Sequence, residues 1–197
     1  MTDKQSAIEI AWTGPFAWPS FELENNLPPI PDKPGVYLQT FEYKDGYLIY
    51  IAGITRRSVP GRFSEHTIKY MKGDYTVLDI EAIKKGVRKE VWHGWGYARK
   101  HRQEFEERKS IILQAAKKQL SAFRIFIADM GGVKDEQRLF ERLEASIMQN
   151  LYQQSSPFCD IPDKGMQLAP RWDSESPIII KNKCAKLIHR LPAIITI

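Results

Sequence analysis

Two periodicities organise the chain. Alternating apolar and polar positions mark strands, because successive side chains on a strand point to opposite faces. The runs Val36 to Phe41 and Tyr47 to Ile51 flank Lys44-Asp45-Gly46, a composition suited to a tight hairpin. With Asp45 and Gly46 as the two loop residues, Lys44 faces Tyr47 and Phe41 faces Tyr50. That register places Tyr37 and Tyr50 on one face. Phe123 to Ala128 repeats the alternation and predicts a third strand. Two short Ile-rich strands are expected around 177–181 and 193–197.

Apolar positions three and four apart mark helices. Leu139, Phe140, Leu143, Ile147 and Leu151 form the clearest stripe, in a helix expected over 135–154. Glu144 lies at the edge of that stripe, where a carboxylate without a cationic partner is costly. A shorter helix is expected over 61–71, with Phe63, Thr67, Tyr70 and Met71 inward and Arg62, His66 and Lys69 on another side. Residues 73–121 are polar and basic, with helices expected near 79–90 and 99–120. Between them Val91 to Tyr97 reads as an aromatic-glycine loop. Residues 11–34 mix Trp12, Phe16, Trp18 and Phe21 with six prolines. Proline opposes helix and central strand, so an irregular arm over the core is expected. The element order suits a small α+β sandwich. The divisions expected are an arm (1–34), a main domain (35–160) with an insert at about 73–121, and a C-terminal extension (161–197).

Composition narrows the function classes. The chain of 197 residues is 43% hydrophobic and 27% charged, which is globular composition. No run approaches the ~18 apolar residues of a membrane span. The N-terminus has no continuous apolar segment of a secretory signal. Two cysteines, Cys159 and Cys184, fit a reducing compartment, and a cytoplasmic location is expected. With His189 they match no short zinc signature. The net charge of +5 is concentrated in the middle: residues 36–128 hold eighteen Lys and Arg against ten Asp and Glu. Such a field attracts polyanions, nucleic acid foremost, or it is simply a solvated surface.

The candidate chemistry is that of a phosphodiesterase. Arg62 would clamp a phosphate with its planar fork. Glu144, with Glu141 as fallback, would hold a divalent cation. His66 and the tyrosines would orient and deprotonate water, although tyrosine with its pKa of about 10 is a poor base unless its surroundings lower it. Each has an ordinary structural alternative: strand aromatics for Tyr37 and Tyr50, a surface cation for Arg62, a packed or capping imidazole for His66.

Gly35-Val36-Tyr37 and Tyr50-Ile51-Ala52-Gly53 resemble the paired signature of the GIY-YIG nuclease family. Arg62-Phe63-Ser64-Glu65-His66 is similar to that family's arginine-bearing helix. Leu143 to Met148 resembles the helix with its metal-binding glutamate. The resemblance covers 35–72 and 123–158. It implies a three-stranded antiparallel sheet flanked by helices, and endonucleolytic hydrolysis of DNA with Mg²⁺ or Mn²⁺, usually leaving a 5′-phosphate. It implies that Tyr37 activates water, Tyr50 supports it and contacts the phosphate region, Arg62 stabilises the pentavalent phosphate, His66 handles protons and Glu144 ligates metal. A restriction or defence role is the leading expectation, and a repair or recombination nuclease the variant. RNA is a further candidate substrate, and a palindromic target would call for a homodimer. Two features depart from the pattern. Ala52 is either an extra residue or a replacement for the glycine, and the asparagine that often follows the glutamate helix is absent. They favour the alternative of a non-catalytic nucleic-acid-binding or adaptor protein. Recognition is expected from Arg56, Arg57, Lys69 and Lys72, and from Trp92 and Trp95, which would either stack on bases or pack the insert.

Overall fold

A computed structural model describes residues 7–129 and 138–197. The chain runs through β1 (Ala7–Ala17), α1 (Glu22–Asn25), β2 (Gly35–Tyr43), β3 (Gly46–Thr55) and α2 (Val59–Met71). The insert follows as β4 (Val77–Leu78), α3 (Ile80–Ile83), β5 (Glu90–Trp92), α4 (Trp95–Lys100) and α5 (Arg102–Ala122). Then come β6 (Phe123–Asp129), α6 (Leu139–Tyr152), β7 (Ile179–Cys184) and β8 (Ile194–Thr196).

The expected three-stranded antiparallel sheet is overturned. Six strands in the order β3-β2-β6-β1-β7-β8 form one mixed sheet curled into a half-barrel, and β4 pairs with β5 in a small second sheet. The three added strands come from two segments expected to lie outside that sheet, the N-terminal arm and the C-terminal extension. Residues 7–17 are strand β1, antiparallel to β6, rather than an irregular arm. Ile10 and Trp12 are buried while Glu9, Ala11 and Thr13 are exposed, a clean alternation. Pro15 falls in the register shift between Thr13 and Phe16, where its missing N–H removes no ladder bond. The tail then lays β7 parallel to β1, with Ile8 beside Ile180 and Trp12 beside Cys184.

Each face of the sheet carries its own core. One is aromatic: Tyr37, Phe41, Tyr50 and Phe123 from the sheet meet Trp18, and Phe63 and Tyr70 of α2. Trp18 lies 4.6 Å from Phe63, and Phe41 stacks on Phe123 at 4.6 Å. The other is aliphatic: Val36, Leu38, Ile49 and Ala52 meet the α6 stripe of Leu139, Leu143, Ile147, Met148 and Leu151. The start of the expected helix, at 135–137, lies outside the described residues.

Two local expectations are also corrected. The hairpin turns on Lys44 and Asp45, with Lys44 at φ +51° and Tyr43 paired to Gly46, so Phe41 faces Leu48 rather than Tyr50. Gly46 is needed for space: a Cβ there would stand 2.5 Å from the Leu187 carbonyl oxygen. In the insert, the helix expected at 79–90 is one turn, α3, capped by Asp79, whose carboxylate accepts from the N–H groups of Glu81 and Ala82. The chain then reverses into β5, so Val91 to Tyr97 is strand and helix start instead of an open loop.

Candidate active site

The site begins with a bulge at the sheet's edge. Gln39 pairs with Ile51 and Thr40 with Ile49, leaving Tyr50 as the extra residue of β3. Tyr50-Ile51-Ala52-Gly53 therefore accommodates one residue too many without displacing the glycine, and Gly53 lies opposite Tyr37. A Cβ on Gly53 would sit 2.5 Å from Cζ of Tyr37 and 2.6 Å from its hydroxyl oxygen. Glycine is thus what lets the Tyr37 ring lie across β3.

Helix α2 supplies the next two groups. Ser58 caps it, its hydroxyl accepting from the Gly61 N–H at 3.2 Å. Arg62 and His66 follow one turn apart. The Tyr37 hydroxyl lies 3.0 Å from His66 Nε2, and His66 Nδ1 lies 3.2 Å from the Tyr75 hydroxyl. The Arg62 guanidinium is near enough to work against burial on the Tyr37 phenol. Which His66 nitrogen donates and which accepts in these two contacts follows the tautomer. Burial, reinforced by Arg62, pushes His66 down to about 4, so the imidazole is neutral at pH 7. Burial also raises the Tyr37 phenol above its ordinary value, against the partial relief from Arg62.

Glu144 arrives from the opposite face of the sheet. It is on α6, and β3 is the edge strand, so its side chain passes that edge to reach the Tyr37 side. It makes no hydrogen bond or ion pair with a described residue. Burial, and then Glu141, push its carboxyl up to about 7, and Arg62 pulls the other way. The outer edge of β3 is closed by the chain after α6, where the Asp163 N–H donates to the Tyr50 carbonyl at 3.0 Å.

These elements enclose a cavity of about 170 Å³. Tyr37, Tyr50, Arg62, His66 and Glu144 all line it, as do Gln39, Tyr70, Tyr75, Trp95 and Asp163. Tyr50 lines the cavity as a fully buried side chain, and burial raises its phenol above the ordinary value. Gln39 is 2% exposed and its amide oxygen has no partner, at a cost of about 1–3 kcal/mol for such a group. Among the described residues no three His, Cys, Asp or Glu side chains cluster as a metal cage. The donor set nevertheless fits a hard cation that keeps much of its water, because Glu144, whose carboxylate has no partner among the described residues, and Gln39, whose buried amide oxygen has none, line one small cavity. The fallback Glu141 is less suited, since Arg56 at 2.9 Å and Arg138 at 3.0 Å already hold its carboxylate.

The expected recognition residues divide. Trp92 is corrected to a core residue: it is buried, packs on Phe105 at 5.5 Å and donates its indole N–H to the Gly73 carbonyl at 2.7 Å. Trp95 is 43% exposed at the rim, against Tyr75 at 5.0 Å, with its N–H given to Asp163 at 3.1 Å. Arg57 and Arg62 share Glu65, at 2.9 and 3.0 Å. Lys69 pairs with Asp74 at 3.4 Å, and Lys72 is exposed at the end of α2. No sequence pattern marks Tyr75, Gln39 or Asp163 as residues of the cavity, which all three line. Asp163 is held by Arg88 at 3.3 Å and Trp95, and burial raises its carboxyl.

No protein-family model, curated protein or solved structure matches the chain. Among the described residues no helix is long and apolar enough to cross a membrane.

Proposed function

We propose that the protein is a metal-dependent endonuclease that hydrolyses phosphodiester bonds in DNA. The observation that carries this reading is the hydrogen-bonded pair Tyr37–His66, in one cavity with Arg62 and the unpartnered carboxylate of Glu144. The resemblance of the motifs around these residues to GIY-YIG nucleases supports it.

The residues divide the work. Arg62 keeps its charge at any working pH and turns its fork to the phosphate. Tyr37, with its raised pKa, works as a relay. It takes a proton from the attacking water as it passes its own to His66 Nε2. Tyr75 fixes the ring in the tautomer this needs, by accepting from Nδ1. The resulting imidazolium is opposed by burial and by Arg62, and a bound phosphate offsets Arg62's charge, so the base strengthens when substrate is present. Glu144 would hold a divalent cation, which when bound would supply charge neutralisation at the phosphate and the leaving oxygen.

The test is incubation of the chain with plasmid and oligonucleotide duplexes in Mg²⁺, with mapping of the ends. Metal-dependent cuts with 5′-phosphate ends, lost in Glu144→Gln, are the expected result. DNA binding without cleavage on any substrate would replace this reading with the adaptor reading.

A further inference from the structure

We propose that Gln39 is a second protein ligand of the divalent-cation site, its amide oxygen facing the cation directly or through one bound water. The inference extends the metal-dependent reading above but stands on its own observations. Gln39 follows Tyr37 by two residues on the same strand, so both side chains leave the same face of β2. Its neighbours on that face, Tyr37, Phe41 and Tyr50, belong to the aromatic core, where an apolar side chain would satisfy packing. The bulge sets Ile51 opposite Gln39, beside the cavity.

The amide oxygen is buried and without a partner. Gln119, also buried, shows what a structural glutamine does in this protein. Its oxygen accepts from the Leu78 N–H at 2.6 Å and its nitrogen donates to the Tyr70 hydroxyl at 3.4 Å. Gln39 lines the cavity that Glu144 also lines. Two partnerless oxygens, one anionic and one neutral, are the donors a hard cation takes. At about 170 Å³ the cavity has the volume of several water molecules, so a cation can enter with part of its hydration shell.

Removing the amide should have opposite effects on two measurements. Mn²⁺ binding to the metal-free full-length chain, followed by the EPR signal of free Mn²⁺, should weaken by about tenfold or more in Gln39→Leu. In EDTA the same variant should melt at a higher temperature than the parent, because a buried acceptor without a partner is gone. Gln39→Glu should bind Mn²⁺ more tightly. Gln39→Met repeats the test should leucine pack poorly.

Unchanged Mn²⁺ affinity in Gln39→Leu, or a parent that binds no Mn²⁺, overturns the proposal. So does a lower melting temperature, or loss of cooperative melting in both Leu and Met variants, since either makes the amide structural. A parent that binds Mn²⁺ through Gln39 but cuts no DNA leaves this inference standing and removes the nuclease reading.

Discussion

Tyr37 and Gly53 face each other across the β2–β3 ladder, and the ring of one occupies the space where the other would carry a Cβ. The position of the hydroxyl that bonds His66 therefore depends on a missing methyl group on β3. Gly53→Ala should push the ring out of the cavity. A displacement of about 1 Å in a reacting group costs on the order of 100-fold in rate, and overpacking costs about 1–3 kcal/mol in stability. Single-turnover cleavage and urea melts of this variant check both. Parent-like cleavage would mean that the ring's placement is unimportant.

The two tryptophans of the insert should separate cleanly. Trp92→Ala removes a fully buried indole and should cost about 3–5 kcal/mol of stability. Trp95→Ala, at the rim, should cost only about 1 kcal/mol through the lost bond to Asp163. If its exposed face stacks a base, Trp95→Ala should weaken single-stranded DNA binding by about 1–3 kcal/mol. Denaturation curves and metal-free titrations with labelled oligonucleotides give the two numbers, and equal stability losses would contradict the assignment.

Arg62 and Arg57 lean on the same carboxylate yet should behave differently. Arg62 lines the cavity beside Tyr37, whereas Arg57 is 76% exposed at the side chain and pairs with Glu65 outside it. Arg62→Ala should abolish most cleavage with binding largely kept. Arg57→Ala should weaken binding of all sequences alike and reduce the salt slope by about 1. Affinity measured over a salt series, beside single-turnover rates, distinguishes them.

What was legible in the sequence was local. The α6 stripe sets which residues are buried and leaves Glu144 at its edge, and the pair Arg62 and His66 one turn apart follows from helix period alone. The position of the bulge was not legible, because Ala52 invites the extra residue as readily as Tyr50 does. Strand β1 was hidden by Pro15 and Pro19, although Ile8, Ile10 and Trp12 carry its alternation. Its place in the sheet depends on pairing with β6 and β7, more than a hundred residues away. Asp163 and Tyr75 lie in the tail and the insert, with no local pattern to mark them. They reach the cavity only because the chain after α6 seals the edge of β3 and the insert folds back over α2. Trp92 reads equally as a stacking or a packing residue from its sequence, and it is buried because the Gly73 carbonyl and Phe105 enclose it.

The two titrating groups of the cavity should hide each other in the stability of the metal-free protein. Glu144 moves from 4.5 to about 7, so its folded form holds a proton more tightly than the unfolded chain. Its contribution therefore rises as pH falls from about 7 to 4.5, and its full cost, on the order of 3 kcal/mol, is present above pH 7. His66 moves from 6.5 to about 4, so the unfolded chain takes the proton first. Its contribution is complete above pH 6.5 and is lost as pH falls towards 4, by a similar amount. Between about pH 4.5 and 6.5 the two slopes oppose. Glu144→Gln should remove one of them: relative to the parent, it should gain stability at pH 8 and lose that advantage by pH 4.5. His66→Gln should show the reverse trend, gaining relative to the parent only as the pH drops below 6.5. Urea denaturation in EDTA at half-unit pH steps, taken as differences from the parent so that the other carboxylates cancel, measures both curves. Flat difference curves would mean that neither group is held in the cavity with the burial that shifts it, and the relay from Tyr37 to a neutral His66 would lose its basis.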